Sequence, residues 1–230
     1  MSRILAIDTA TNSCSAAIAV DGDVVASRTE PMVRGHAERL VPMIGEVLTE
    51  AAIASRALEL IAVTVGPGAF TGLRVGLATA RGLALAADLP CMGFTTTETI
   101  AAAATEAGTP LLVALDSKRA DLYVQAFDAG RTPITEPAAV LPDELGGWLS
   151  AACVDPQPLR LSGDAAERAA ETLAGAGYAC SVSGPAHPDA AVLARLAAGR
   201  WRPGDTVAKP APLYLRPPDA VVPADGGRLR

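Results

Sequence analysis

Two apolar segments, each closed by an aspartate, stand almost half a chain apart. One is Ile4-Leu-Ala-Ile-Asp8 and the other Leu111-Leu-Val-Ala-Leu-Asp116, with Asp116 following Asp8 by 108 positions in a chain of 230 residues. Each is followed by a short polar stretch and a second apolar run, residues 15–20 in the first case and 121–127 in the second. A recurrence at that distance indicates one supersecondary unit used twice, so any fold for this chain must hold two copies of it. The unit opens with a hairpin. Asp21-Gly22 separates residues 15–20 from 24–27, and Asp-Gly between apolar runs marks a two-residue turn with positive φ at both central positions.

Helical periodicity follows the hairpin. Leu40, Met43, Ile44, Val47, Leu48 and Ala51 recur at helix spacing over residues 36–51, predicting a helix with one apolar face. Residues 60–65 read as a buried strand running into Gly66-Pro-Gly-Ala-Phe-Thr-Gly-Leu-Arg-Val-Gly76 and a second helix to about residue 87. Thr71 suits the N-cap of that helix, with Phe70 and Val75 placed to close a hydrophobic staple. A short strand at 91–93 precedes Thr95-Thr-Thr-Glu98, a capping box opening an alanine-rich helix that ends near Gly108. In the second half, a strand is expected at 159–162, a helix from about 165 capped by Asp164 and Glu167, and another over 189–198. The Pro/Gly/Asp-rich stretch from Pro217 onward is expected to fray.

Two hairpin-plus-β/α units, each with an acid ending its first strand, describe an α/β protein of two tandem ribonuclease-H-like subdomains. Mixed sheets flanked by helices are expected, as in actin, sugar kinases and Hsp70, where the two acids face a nucleotide cleft. The expected division is residues 1–108, carrying a partner interface, then a smaller subdomain at 109–216, then a flexible tail at 217–230. Composition agrees with a packed core: half the residues are apolar and 19% charged, which excludes a disordered or fibrous chain. Aromatics supply 3%, so the core is aliphatic. A net charge of −6 argues against a stand-alone binder of phosphate backbone while leaving room for a basic protein partner. No apolar stretch has the length of a membrane span, and Asp8 interrupts the first apolar run too early for a signal peptide. Cys14, Cys91, Cys153 and Cys180 are scattered without a Cys-x-x-Cys pair, so neither structural zinc nor a disulfide framework is expected. The expected location is the cytoplasm.

Several motifs admit a chemical and a purely structural reading. Asp8 with Thr9, Thr11 and Ser13 suits a phosphate-and-magnesium loop, or simply a capped turn between strands. In the second half the corresponding place holds Asp116-Ser117-Lys118, where a nucleotide-binding relative carries Asp-x-Gly. Gly66-Pro-Gly68 before a helix N-terminus suits an anion cradle or a tight turn needing glycine torsions; it is neither a Walker A loop nor a Rossmann fingerprint. Gly72, Gly76 and Ala80 recur four apart, allowing close approach of another helix in this chain or a partner. His36 and His187 are the two histidines and are not clustered as metal ligands are. No Ser, Cys or Lys occupies a nucleophile-elbow context. No catalytic residue and no metal ligand is therefore assigned.

Taken together, residues 4–11, the run Gly-His-Ala-Glu-Arg-Leu-Val-Pro-Met-Ile at 35–44, the glycine-rich run at 66–76 and Pro-Leu-Tyr-Leu-Arg at 212–216 closely resemble the bacterial TsaB family, also called YeaZ. The resemblance implies a non-catalytic subunit of the machinery that forms N6-threonylcarbamoyladenosine (t6A) at position 37 of tRNAs reading ANN codons. It implies pairing with the metal-bearing paralogue TsaD, recruitment of the ATPase TsaE by that pair, a homodimer when alone, and tRNA contact through the complex. No cofactor is expected to bind tightly, with ATP or ADP acting at the level of the complex. Carried onto this chain, the interface helices imply contacts from His36, Arg39, Leu40, Met43, Ile44 and Val47, and from Gly72, Leu73, Val75, Gly76 and Thr79. Asp8, Thr9 and Thr11 would be a vestigial phosphate loop. The competing readings are an ATP-dependent kinase of the actin-like group, suggested by the strand-Asp duplication, and a metallopeptidase, for which the sequence supplies no metal cluster.

Overall fold

The computed structural model describes residues 2–104, 108–154 and 158–216, so the tail expected at 217–230 lies outside the described residues. The Asp-Gly signal is a two-residue turn, with φ of 50° at Asp21 and 93° at Gly22. It joins strands β2 (Ser13–Val20) and β3 (Asp23–Pro31), and β2 pairs antiparallel with β1 (Arg3–Asp8). Helix α1 (His36–Glu50) leads to β4 (Leu60–Gly66), and helix α2 (Phe70–Ala87) leads to β5 (Cys91–Thr95). The sheet order is β3-β2-β1-β4-β5, with β4 parallel to both β1 and β5.

After α3 (Thr96–Ala103) the pattern repeats. Strands β6 (Leu111–Asp116), β7 (Leu122–Phe127), β8 (Ala138–Val140), β9 (Leu159–Ser162) and β10 (Cys180–Val182) form a second sheet in the order β10-β9-β6-β7-β8. Helices α4 (Leu145–Ala151) and α5 (Ala166–Gly175) occupy the places of α1 and α2, and α6 (Ala190–Arg200) that of α3. Strand for strand, β6 antiparallel to β7 and parallel to β9 reproduces β1 with β2 and β4. The internal duplication is thus structural, and the fold is the α/β, two-sheet architecture expected. Elements β8, α4 and β10 were not anticipated; each spans seven residues or fewer, too short for a clear period.

Because side chains alternate across a strand, β1 serves two cores. Leu5 and Ile7 meet Leu40, Met43, Ile44 and Val47 of α1 and Leu77 and Ala80 of α2. Ile4 and Ala6 face the other way, onto Leu193, Ala194, Ala197 and Trp201 at α6. The second sheet does the same: Leu112 and Ala114 pack with α4 and α5, whereas Leu111, Val113 and Leu115 meet Ile100 and Ala101 of α3. Helices α3 and α6 also touch each other. The division expected at residue 108 is therefore crossed twice in packing, since α3 of the first half covers the second sheet and α6 of the second half covers the first. Strands buried on both faces read as unbroken apolar runs, which is why these runs stood out.

Local capping is partly as expected. Thr95 Oγ1 accepts the Glu98 amide at 3.0 Å and Asp189 Oδ1 the Ala191 amide at 2.6 Å. Helix α2, however, begins at Phe70 after an Ala69 N-cap with no side-chain bond, so Thr71 lies inside its first turn. Asp164 does not cap α5; its carboxylate accepts the Asp116 amide at 2.8 Å instead. Among the described residues no helix is long and apolar enough to cross a membrane.

Candidate functional site

The ends of β1 and β6 and the start of α2 border one cleft of about 990 Å³. Its lining comes from the β1–β2 turn (Thr11, Asn12), the approach to α1 (Val33, Arg34, Gly35, His36), the α2 N-terminus (Gly68 to Gly72, Arg74), the β6–β7 turn (Ser117, Lys118, Arg119) and residues 213–216. That last segment is a strap running back across both halves. The Leu213 amide donates to the Val65 carbonyl at 2.7 Å, Arg74 Nε donates to the Tyr214 hydroxyl at 3.0 Å, and Arg216 pairs with Asp121 at 2.7 Å. The Phe70 and Tyr214 rings lie 5.5 Å apart, with the Arg74 guanidinium 3.6 Å from the Phe70 centroid. A cation over an aromatic face is attractive, so Arg74 joins strap to helix.

The three residues expected to form a phosphate loop take different roles. Asp8 is fully buried; its Oδ1 accepts the Thr64 hydroxyl at 2.5 Å and the Ala10 amide at 3.1 Å. Burial pushes its carboxyl up to about 7, against the opposing pull of those two bonds. Thr9 is buried too, its hydroxyl donating to the Gly72 carbonyl at 2.7 Å. Thr11 differs: it is buried and lines the cleft, and its hydroxyl meets no hydrogen-bonding partner. The glycines explain how the turn closes. A Cβ at Gly68 would sit 2.2 Å from the Ala10 carbonyl oxygen, one at Gly72 2.1 Å from that of Thr9, and one at Gly76 2.5 Å from the Thr9 hydroxyl. The small-residue stripe of α2 therefore receives the chain's own β1–β2 turn. In the second half Lys118, at φ 62°, folds back so that its ammonium lies 2.9 Å from Asp116. Burial acts to raise the Asp116 carboxyl, but the bonds from Lys118 hold it below its ordinary value.

The side chains expected at a partner contact divide likewise. Leu40, Met43, Ile44 and Val47 lie in the first core, Gly72 and Gly76 are buried against Thr9 of the β1–β2 turn, and Leu73 is buried beside Gly66 at the end of β4. All seven are buried within this chain, where they pack its fold. Val75 and Thr79 are half-buried. Arg39 is engaged by two carboxylates, Glu30 at 2.6 Å and Glu46 at 2.7 Å, and both acids are held below their ordinary range by its hydrogen bonds. His36 lines the cleft, its Nε2 without a partner. Among the exposed positions of α1 and α2 are Val41, Gly45, Ala78, Gly82 and Leu85, with Val41 58% and Leu85 85% exposed, alongside the charged Glu38, Glu46, Arg74 and Arg81. A Cβ at Gly45 or Gly82 would meet nothing within 4 Å. Helix-interior glycine costs about 1 kcal/mol relative to alanine, and among the described residues no packing offsets that cost at either position. Glycine at these exposed helix positions was the sequence signal for this face; the apolar stripe, which is more conspicuous, belongs to the core.

Burial pushes the Cys14 and Cys91 thiols up to about 11, far from thiolate at neutral pH. Among the described residues no group of three or more His, Cys, Asp or Glu is placed to hold a metal ion.

A family model described as TsaD, tRNA N6-adenosine threonylcarbamoyltransferase, matches residues 23–188. The Escherichia coli protein named tRNA threonylcarbamoyladenosine biosynthesis protein TsaB is 38% identical over 148 residues, 62% of this chain and 64% of that protein. An uncharacterized Mycobacterium tuberculosis protein is 35% identical over 96% of this chain and 94% of its own length. The crystal structure of YeaZ from Pseudomonas aeruginosa superimposes with a TM-score of 0.78 at 28% identity, covering 94% of this chain and all of that one. The chain belongs to the TsaB/YeaZ family. A second P. aeruginosa structure, with the same TM-score and 27% identity, is described as similar to the peptidase YeaZ. The ROK hexokinase of Thermus thermophilus, with a TM-score of 0.51 and 14% identity, shares the actin-like fold. In this TsaB/YeaZ chain the β1–β2 turn beside the cleft sets Thr9 and Ala10 against the glycines of α2.

Proposed function

We propose that this chain serves t6A formation on tRNA as a non-catalytic subunit in the cytoplasm, docking TsaD through the outward face of α1 and α2 and, through that pair, TsaE. The observation that carries this reading is the closed turn after β1. Where a phosphotransfer enzyme of this fold opens backbone amides to phosphate, this chain sets the carbonyls of Thr9 and Ala10 against Gly72 and Gly68. An apolar, glycine-containing helix face toward solvent supports a protein partner. The contact residues are then Val41, Gly45, Ala78, Gly82 and Leu85 rather than the buried stripe beneath them. The same face serves a second copy of the chain when TsaD is absent. ATP or ADP belongs to the assembled complex. A peptidase reading lacks an activated nucleophile or metal cluster among the described residues.

The test is reconstitution. The purified chain with tRNA and threonylcarbamoyl-adenylate forms no t6A, and product forms once TsaD, TsaE and ATP are added. Turnover without TsaD would overturn the reading.

A further inference from the structure

We propose that the cleft holds a single-stranded stretch of RNA, with one phosphodiester at the N-terminus of α2 and a base against the Phe70–Tyr214 rings. This rests on the reading that the chain works on tRNA, and adds to it a direct contact. Five cations line the cleft, Arg34, Arg74, Lys118, Arg119 and Arg216, against one acid in the lining, Glu38, and two of the five, Lys118 and Arg216, are paired with Asp116 and Asp121 beside it. The chain as a whole carries −6, so this concentration of positive charge is local, as the footprint of a nucleic-acid strand is.

Beneath the cations, α2 begins with no side-chain cap and no acid in its first turn. Its leading residues, Gly68 to Gly72, form part of the cleft wall. Amides at a helix N-terminus bind phosphate oxygens; the Ala69 amide already donates to the Ala10 carbonyl at 2.7 Å, so the phosphate is met by amides further into the first turn. A second observation comes from Thr11, which is 6% exposed and lines the same cleft, and whose buried hydroxyl meets no hydrogen-bonding partner among the described residues. His36 Nε2 is unpartnered there as well. At the mouth, Phe70 and Tyr214 are 50% and 44% exposed, and Val33 is 75% exposed. Half-exposed rings beside arginines are the stacking surfaces on which unpaired bases lie.

A free nucleotide fits less well. The turn that would grip its phosphates is closed by Thr9 and Ala10, and Lys118 is turned onto Asp116. The cations are spread from the approach to α1, across the β6–β7 turn, to the strap. That arrangement follows an extended backbone better than one polyphosphate.

The experiment uses the full chain and a fluorescently labelled, unmodified anticodon stem-loop RNA, followed by anisotropy across a salt series. The parent chain is expected to bind, and to bind a loop-free duplex of equal length less tightly. Arg34→Glu and Arg119→Glu, both at exposed positions, are expected to weaken binding about tenfold each. Each is also expected to reduce the salt slope by about 0.7, the increment for one single-strand phosphate contact. Phe70→Ala should weaken binding without changing that slope. Unfolding midpoints equal to the parent's show that the variants are folded. Equal affinity of parent and charge-reversed chains, absence of binding at low salt, or displacement of the RNA by ADP would overturn the proposal. The function itself is read separately, in cells depleted of their own TsaB. No restored t6A there sinks the pairing reading whatever the RNA result. Restored t6A with RNA affinity indifferent to Arg34 and Arg119 sinks the RNA contact alone.

Discussion

Replacing Asp8 by Asn should make this protein more stable, and increasingly so as the pH rises. Asp8 is fully buried at the end of β1, with both hydrogen bonds on Oδ1 and none from the protein on Oδ2. An asparagine carbonyl keeps both acceptor bonds while the ionisable oxygen is lost. In the parent, burial raises the folded-state pKa from 3.8 to about 7. A raised pKa means that the folded state holds a proton which the unfolded chain has released. Its stabilising effect is complete below the unfolded value and is lost as pH climbs through the folded one. At about 1.4 kcal/mol per pH unit, the whole interval corresponds to roughly 4 kcal/mol, and the part between pH 5 and neutrality to about 3 kcal/mol. Urea unfolding of the parent and Asp8→Asn at several pH values reads the difference directly, since every other titrating group is common to both. The variant should gain on the parent steadily from pH 5 to about 7 and then hold a constant advantage. A stability difference that does not change over that interval would refute the buried, proton-holding carboxyl.

Two further outcomes follow from the glycines and the outer helix face. Gly72→Ala puts a Cβ 2.1 Å from the backbone oxygen of Thr9 and should destabilise by roughly 1–3 kcal/mol, the cost of overpacking. Gly82→Ala, where nothing lies within 4 Å, should gain up to about 1 kcal/mol in helix propensity; thermal unfolding compares the pair. Val41→Glu and Leu85→Glu, at exposed sites, should leave the unfolding free energy within about 0.5 kcal/mol. Each should nevertheless weaken TsaD binding at least a hundredfold by calorimetry, because a charge desolvated at an interface costs several kcal/mol. Unchanged affinity in both would move the docking face elsewhere. Leu40→Glu, by contrast, buries a charge in the first core and should unfold the chain.

The elements with a strong period were legible before any coordinates. The strands around Asp8 and Asp116, the Asp21-Gly22 turn, α1, the helix after Gly68, the cap at Thr95 and the helix from about Asp189 all rest on neighbours within a few positions. Legibility failed where a distant contact decided the outcome. Asp164 has the local look of a helix cap, yet the Asp116 amide, 48 residues earlier, takes its carboxylate. Thr71 has the look of an N-cap, yet α2 starts at Phe70. Gly66-Pro-Gly68 suited an anion cradle or a tight turn, and Gly72, Gly76 and Ala80 the close approach of another helix, whereas Gly68, Gly72 and Gly76 receive the chain's own β1–β2 turn.

From order and spacing alone came the duplicated unit, the α/β class and the kinship of the repeats, because strand alternation, helix period and turn chemistry are local properties of the chain. The third dimension decided which side of each helix faces solvent. It turned the apolar stripe of α1 inward and left Gly45 and Gly82 outside. It also pressed the turn after Asp8 against α2 and gathered five cations from four separate segments around one cleft. Those results depend on packing between residues far apart in sequence, and on the loss of water around Asp8, neither of which any short window of sequence contains.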